Sequence, residues 1–176
     1  TMAQEHAEND GWSVVEDSGR GWRRVVPSPL PRRIIQADVI RSLIDGGFVV
    51  IAVGGGGIPV VEDENGELVG IEAVIDKDFA SALLAATLKA DLLLITTAVE
   101  KVAINFNKPD QTWLDQMTYE EAKGYLELGH FGKGSMEPKI RAILGFLDQG
   151  GQEALITDPA NIARALNGET GTRIQR

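Results

Sequence analysis

Residues 48–57 read Phe48-Val49-Val50-Ile51-Ala52-Val53-Gly54-Gly55-Gly56-Gly57, six apolar residues in a row followed by four glycines. A short apolar run without polar alternation predicts a parallel strand buried on both faces. Glycines directly after such a strand remove every side chain at its carboxyl end, where open parallel sheets bind ligands. Backbone N–H groups there can approach an anion closely. The string is neither a Walker A loop nor G-x-G-x-x-G. It reads either as a phosphate or oxyanion cradle or as a flexible connection.

The text on both sides alternates between strand and helix patterns. Upstream, Ala37, Val39, Ile40, Leu43 and Ile44 share one stripe of a helix over 36–45, closed by Gly46-Gly47. Downstream, Val60-Val61 and Leu68-Val69 flank the turn dipeptide Asn65-Gly66. Residues 71–75 are strand-like, and 78–89 carry Phe79, Leu83, Leu84 and Leu88 at helical spacing. A second buried-strand run covers 92–97, and a short hairpin follows over 102–110. Thr118-Tyr119-Glu120-Glu121 opens a helix with a capping box. Residues 138–149 form a helix with Ile140, Ile143, Leu144 and Leu147 inward. A strand at 154–157, a helix at 160–166 and a strand at 172–174 complete the chain. This order predicts an α/β fold: a three-layer α/β/α sandwich around a mainly parallel open sheet.

The chain has 176 residues, enough for one domain with a sizeable core. It has 26 acidic against 17 basic residues and a net charge of -9, which argues against nucleic acid as a partner. With no cysteine, thiolate metal sites and disulfides are excluded. No apolar run reaches the roughly 18–20 residues of a membrane span, so no membrane partner is expected and a cytoplasmic protein is the default. Residues 1–18 form an acidic, partly helical entry segment, and 19–176 the main domain. Between 20 and 41 lie six arginines and a rigid Pro27-Ser28-Pro29, read as a salt-bridged surface or the rim of an anionic site. His6 and His130 lack metal-ligand spacing and read as exposed or structural; Trp12, Trp22 and Trp113 read as packing residues.

Three further stretches carry chemistry. Asp76-Lys77-Asp78 sits at a strand-to-helix junction, where either aspartate can cap the helix or orient cationic groups or Mg²⁺ near a phosphate. Lys77 can pair with these acids or face phosphate. Gly132-Lys133-Gly134-Ser135 leads into a helix whose first turn carries Lys139. A helix N-terminus and an ammonium both favour a transferring phosphoryl group, although a surface lysine would look the same. Thr96-Thr97-Ala98-Val99-Glu100 ends a strand in a place suited to a nucleoside.

Taken in order, these motifs resemble carbamate kinases of the amino-acid kinase superfamily. The resemblance runs from Gly19-Arg20-Gly21-Trp22-Arg23-Arg24 through Gly54-Gly55-Gly56-Gly57-Ile58-Pro59-Val60, Ala73-Val74-Ile75-Asp76-Lys77-Asp78 and Thr97-Ala98-Val99-Glu100 to Gly134-Ser135-Met136-Glu137-Pro138-Lys139. It implies reversible phosphoryl transfer between ATP and carbamate, with ATP or ADP and Mg²⁺ as cofactors, carbamate or carbamoyl phosphate as small-molecule partner, and a homodimer. Lys139 would contact the transferring phosphoryl group. Asp78 would hold the catalytic lysines, with Asp76 its neighbour. Gly54, Gly55, Gly56 and Gly57, together with Lys77, would bind phosphate or carbamate, while Thr97, Ala98, Val99 and Met136 would bind the nucleotide. No metal ligand is assigned to the protein. The resemblance also implies that the chain is the carboxyl-terminal portion only, without the first strand, its glycine-rich turn, another lysine and much of the carbamate site. A catalytically incomplete nucleotide-binding module is the alternative, and a kinase of an amino-acid carboxylate ranks below it.

Overall fold

The computed structural model describes residues 2–16 and 21–176. Gly19 and Arg20, which open the first family-like motif, lie outside the described residues. The chain divides into two compact units, residues 1–30 with 58–75, and residues 31–57 with 76–176.

The smaller unit begins with helix α1 (Met2–Asp10), followed by the antiparallel pair β1 (Val14–Glu16) and β2 (Trp22–Arg24). Trp12 anchors this end: His6 stacks on its ring at 4.5 Å, and the Arg24 guanidinium sits 4.5 Å from its centre. Arg24 also donates to Glu72 at 2.8 Å, so this part of the arginine-rich stretch is a salt-bridged surface. The predicted Asn65-Gly66 turn joins β3 (Val60–Glu62) to β4 (Leu68–Gly70). Asp63 accepts hydrogen bonds from the backbone of Asn65 and Glu67, which holds its carboxyl below the usual range. Residues 71–75 form no strand. Ala73 N–H turns back to the Ile71 carbonyl, and Val74 N–H donates to Pro27, which has no N–H to return.

The larger unit carries the core. Its elements are α2 (Ala37–Asp45), α3 (Lys77–Leu88), β5 (Leu92–Thr96), β6 (Val102–Ile104), β7 (Thr112–Leu114), β8 (Gln116–Thr118), α4 (Tyr119–Glu127), α5 (Met136–Asp148), β9 (Glu153–Thr157), α6 (Ile162–Leu166) and β10 (Thr172–Gln175). The sheet order is β5-β9-β10-β8. Strands β5 and β9 run parallel, as do β8 and β10, and only β9 and β10 are antiparallel. The predicted α/β sandwich with a mainly parallel sheet therefore holds. Successive residues of a strand face opposite sides: Ala154 and Ile156 of β9 enter the cluster of Ile140, Ile143 and Leu147 from α5. Leu155 faces the other way, toward Ala165 of α6, across Gly171. The deepest residues of α3 are Ala80 and Ala82, while Leu83 and Leu84 are half-buried.

Residues 48–53 depart most from expectation. They form no strand; Val49 is 96% exposed and Ile51 98%. A buried parallel strand needs a ladder partner along its edge, and among the described residues none pairs with this run. The helix stripe before it is only partly covered: Ala37 and Ile40 are buried, whereas Leu43 and Ile44 stay exposed.

Candidate active site

The junction between residues 75 and 79 is built by a helix cap. Asp76 is extended (φ -66°, ψ 129°), and its carboxylate accepts from Asp78 N–H at 2.7 Å, satisfying one of the free donors at the start of α3. The capping reading is therefore correct for Asp76. That leaves the Asp78 side chain for another task. It is buried, and its Oδ2 accepts a hydrogen bond from Lys139 Nζ at 2.9 Å. Its other oxygen lies 3.4 Å from Lys77 Nζ. One carboxylate thus pairs with two ammonium groups, one from the adjacent residue and one from 61 residues away. The three side chains differ in burial: Asp78 is 8% exposed, Lys139 12% and Lys77 55%. The acid and one lysine form the interior of the group, and the second lysine faces solvent.

Lys139 sits in the first turn of α5, where Pro138 fills a position that needs no N–H donor. The loop before it is exposed, and the Gly132 carbonyl accepts from Ser135 N–H and Glu137 N–H at 3.1 and 3.0 Å. The Glu137 amide is therefore committed to the loop, and Pro138 has none to offer. The positive character at this helix start rests on Lys139 more than on free backbone donors. Met136 is half-buried and packs against the core.

The tetraglycine loop follows Val53, a β-branched residue at φ 50° whose carbonyl accepts from Gly56 N–H at 2.8 Å. Gly56 and Gly57 have φ of 90° and 97°, a conformation that favours glycine. Gly54, Gly55 and Gly57 are exposed, and a Cβ at any of them would meet nothing within 4 Å. Packing inside this chain does not require glycine at 54 or 55.

At the carboxyl end of β5, Thr97 N–H donates to the Thr157 carbonyl at 2.9 Å, tying this end to β9. Ala98 is exposed and Val99 half-buried. Directly after them opens a cavity of about 410 Å³ lined by Glu100, Lys101 and Trp113. Trp113 is half-exposed and meets Phe106 edge-on, with ring centres 6.1 Å apart. This corrects its reading as a packing residue, because an exposed hairpin carries it rather than a core element. Glu100 is fixed from two sides, by the Thr170 hydroxyl and by Arg164 at 3.6 Å. Lys101 pairs with Asp115. The role of the 112–114 strand at this cavity had no signal in sequence; it follows from the β6–β7 pairing that sets Trp113 opposite Ala103.

Among the described residues, no group of three or more His, Cys, Asp or Glu could hold a metal ion. No described helix is long and apolar enough to cross a membrane.

Comparison with known proteins places this geometry in context. The model of the amino acid kinase family matches residues 4–158. The chain belongs to the amino acid kinase family. Within the family it is similar to carbamate kinases. That of Thermococcus kodakarensis is 52% identical over 174 residues, which cover 99% of this chain and 55% of that protein. A carbamate kinase-like protein of Escherichia coli, YahI, is 55% identical over 94% of this chain and 52% of its own length. Among solved structures, carbamate kinase from Giardia lamblia bound to AMP-PNP superposes with a TM-score of 0.89 at 45% identity, covering 99% of this chain and 55% of that one. The chain spans about half the length of the curated relatives it matches. Of the residues singled out in sequence, this chain joins Lys77, Asp78 and Lys139 directly, and Asp76 is the cap at the start of α3.

Proposed function

We propose that this chain carries the nucleotide-side phosphoryl-transfer machinery of a carbamate kinase. The reading rests above all on the Asp78 carboxylate bridging Lys139 and Lys77. In the direction from carbamoyl phosphate to ATP, a β-phosphate oxygen of ADP attacks phosphorus. A new P–O bond forms, the bond from phosphorus to the carbamate oxygen breaks, and carbamate leaves with the electron pair. The attacking oxygen is already anionic, so the step needs charge stabilisation and alignment more than a proton acceptor. Two ammonium groups side by side repel each other, and a shared carboxylate offsets that repulsion. Asp78 is thus a positioning residue, and Lys139 and Lys77 meet the equatorial oxygens of the transferring group. Asp76 acts through the cap.

Gly54, Gly55, Gly56 and Gly57 would bind the phosphoryl or carbamate group through the backbone, which the open space above Gly54, Gly55 and Gly57 supports. Thr97, Ala98, Val99 and Met136 would contact the nucleotide, with the nucleoside directed to the cavity beside Trp113. AMP-PNP in the Giardia lamblia relative supports a nucleotide as ligand. Among the described residues no Mg²⁺ cage is built, and Asp78 pairs with two lysines while Asp76 caps α3. In this reading Mg²⁺ would enter with the nucleotide phosphates. In this reading residues 19–176 form the nucleotide-binding part, 1–18 an acidic lead-in, and the protein works in the cytoplasm as a homodimer.

The test is coupled ATP formation from carbamoyl phosphate, ADP and Mg²⁺ by the protein that carries this sequence. Lys139→Ala and Asp78→Ala should each lower kcat about 10²–10³-fold. Activity that survives both substitutions would overturn the assignment. A second reading is nucleotide binding without turnover. Calorimetry with ADP and Mg²⁺ distinguishes the two: heat of binding without ATP formation by the 176-residue chain supports the second.

A further inference from the structure

The charges at the starts of α3 and α5 cancel. Asp76 and Asp78 carry two negative charges, and Lys77 and Lys139 two positive ones. A neutral group of this kind can align a phosphoryl anion but exerts little net pull on it from a distance. The chain as a whole has a net charge of -9, so a nucleoside diphosphate approaches against the average field. The backbone at the start of α5 adds little, because the Glu137 amide is committed to Gly132 and Pro138 has none. Arg141, one turn further along α5, is paired with Glu137 at 2.9 Å.

One cation beside this point is uncommitted. Residues 128–135, between α4 and α5, contain no acid and a single lysine, Lys133. It is exposed, and among the described residues nothing pairs with its ammonium. The chain turns back directly after it: Ser135 and Glu137 N–H both donate to the Gly132 carbonyl, at 3.1 and 3.0 Å, which holds residues 132–135 against the first turn of α5. A helical side chain covers the turn N-terminal to its own Cα, so Lys139 reaches back toward this same loop. The space over the loop is open, since a Cβ on Gly134 would meet nothing within 4 Å.

We infer that Lys133 is a further nucleotide-binding residue, whose ammonium meets the phosphates of ADP or ATP and supplies the net positive charge that the Asp78 group lacks. This role presupposes the phosphoryl-transfer reading above and adds to it the capture of a polyanion. Lys139 and Lys77 act on the transferring group. Lys133 acts on the phosphates that stay with the nucleoside, so its charge is felt alike in the bound complex and in the transition state. Uniform binding of this kind sets KM rather than kcat.

The experiment titrates ADP in the coupled assay, with calorimetry of ADP and of adenosine, on the protein that carries this sequence. Lys133→Gln should raise KM and Kd for ADP about three- to fivefold, the worth of one solvent-exposed ion pair, and should change kcat by less than about twofold. Adenosine, which has no phosphate, should bind the native protein and Lys133→Gln alike. Lys133→Arg should restore the native KM, and added salt should raise KM more steeply in the native protein than in Lys133→Gln. Lys123→Gln, which removes an exposed charge from α4, should match the native protein. ADP bound equally by the native protein and Lys133→Gln, while Lys139→Ala lowers kcat as expected, would overturn this inference and leave the phosphoryl-transfer reading standing. Equal weakening of ADP and adenosine would also overturn it, by assigning the effect to the shape of the loop. Turnover that survives both Lys139→Ala and Asp78→Ala would overturn the reading and the role of Lys133 with it.

Discussion

Asp78 and Lys139 are 61 residues apart in the chain and 2.9 Å apart in space, and both side chains are largely withdrawn from water. The bridge joins the first turn of α3 to the first turn of α5, two helices packed against each other. It thereby sets two helix starts, and the loops that lead into them, side by side.

Removing one partner of such a pair should cost more than removing both. Asp78→Ala leaves the Lys139 ammonium largely buried without a counter-charge and should destabilise the chain by about 3 kcal/mol. The double variant Asp78→Ala with Lys139→Met should recover part of that loss. Lys77→Ala, at an exposed position, should change stability by no more than about 0.5 kcal/mol. Urea denaturation measures all three; equal midpoints for the native chain and Asp78→Ala would show that the bridge contributes nothing.

The glycines separate into two kinds. Gly171 has φ 81°, and a Cβ there would lie 2.9 Å from Leu155 Cδ1 and 3.0 Å from the Ile156 carbonyl. Gly171→Ala should therefore cost about 2–3 kcal/mol. Gly55→Ala meets open space and ordinary backbone angles, so stability should shift by less than about 0.5 kcal/mol. If the loop receives phosphate, that silent substitution should still depress phosphoryl transfer. Thermal melts paired with the coupled assay read both effects, and a Gly55→Ala protein with native turnover would remove the loop from the site.

Acid should loosen the start of α4. Glu121 accepts from Thr118 N–H at 2.8 Å and from its hydroxyl at 3.0 Å, and these bonds hold its carboxyl below the ordinary value of 4.5. A carboxyl depressed in the folded state stabilises it above the unfolded value. That contribution is lost as pH falls below 4.5 through the lower folded value. Amide exchange at residues 120–122 should accelerate in that range. Glu121→Gln, which accepts the same bonds but does not titrate, should flatten the response; an unchanged pH profile in that variant would exclude the capping box as its cause.

Trp113 offers a direct probe of the cavity. In a variant with Trp12→Phe and Trp22→Phe, it is the sole tryptophan. ADP bound beside Glu100 and Lys101 should alter its emission, and Thr170→Val, which removes one of the two groups that fix Glu100, should weaken the response. Emission indifferent to saturating ADP would place the nucleoside elsewhere.

Local chemistry was legible from residues alone wherever a few neighbours decide it. The Thr118–Glu121 capping box, the Asn65-Gly66 hairpin, the inward row of Ile140, Ile143, Leu144 and Leu147, and the glycine closure of α2 all appear as read. Each depends on interactions within a single turn or a single helix face. The helix cap at Asp76-Lys77-Asp78 was legible too, because Asp caps its own first turn.

Tertiary structure decided the matters that need a distant partner. Only the fold assigns capping to Asp76 and frees Asp78 for Lys139, because a carboxylate's task depends on which cations are brought to it. Only the fold turns the 48–53 run outward. Its composition is that of a buried strand, but a strand exists through hydrogen bonds to another chain segment, and no described residue of this chain supplies them.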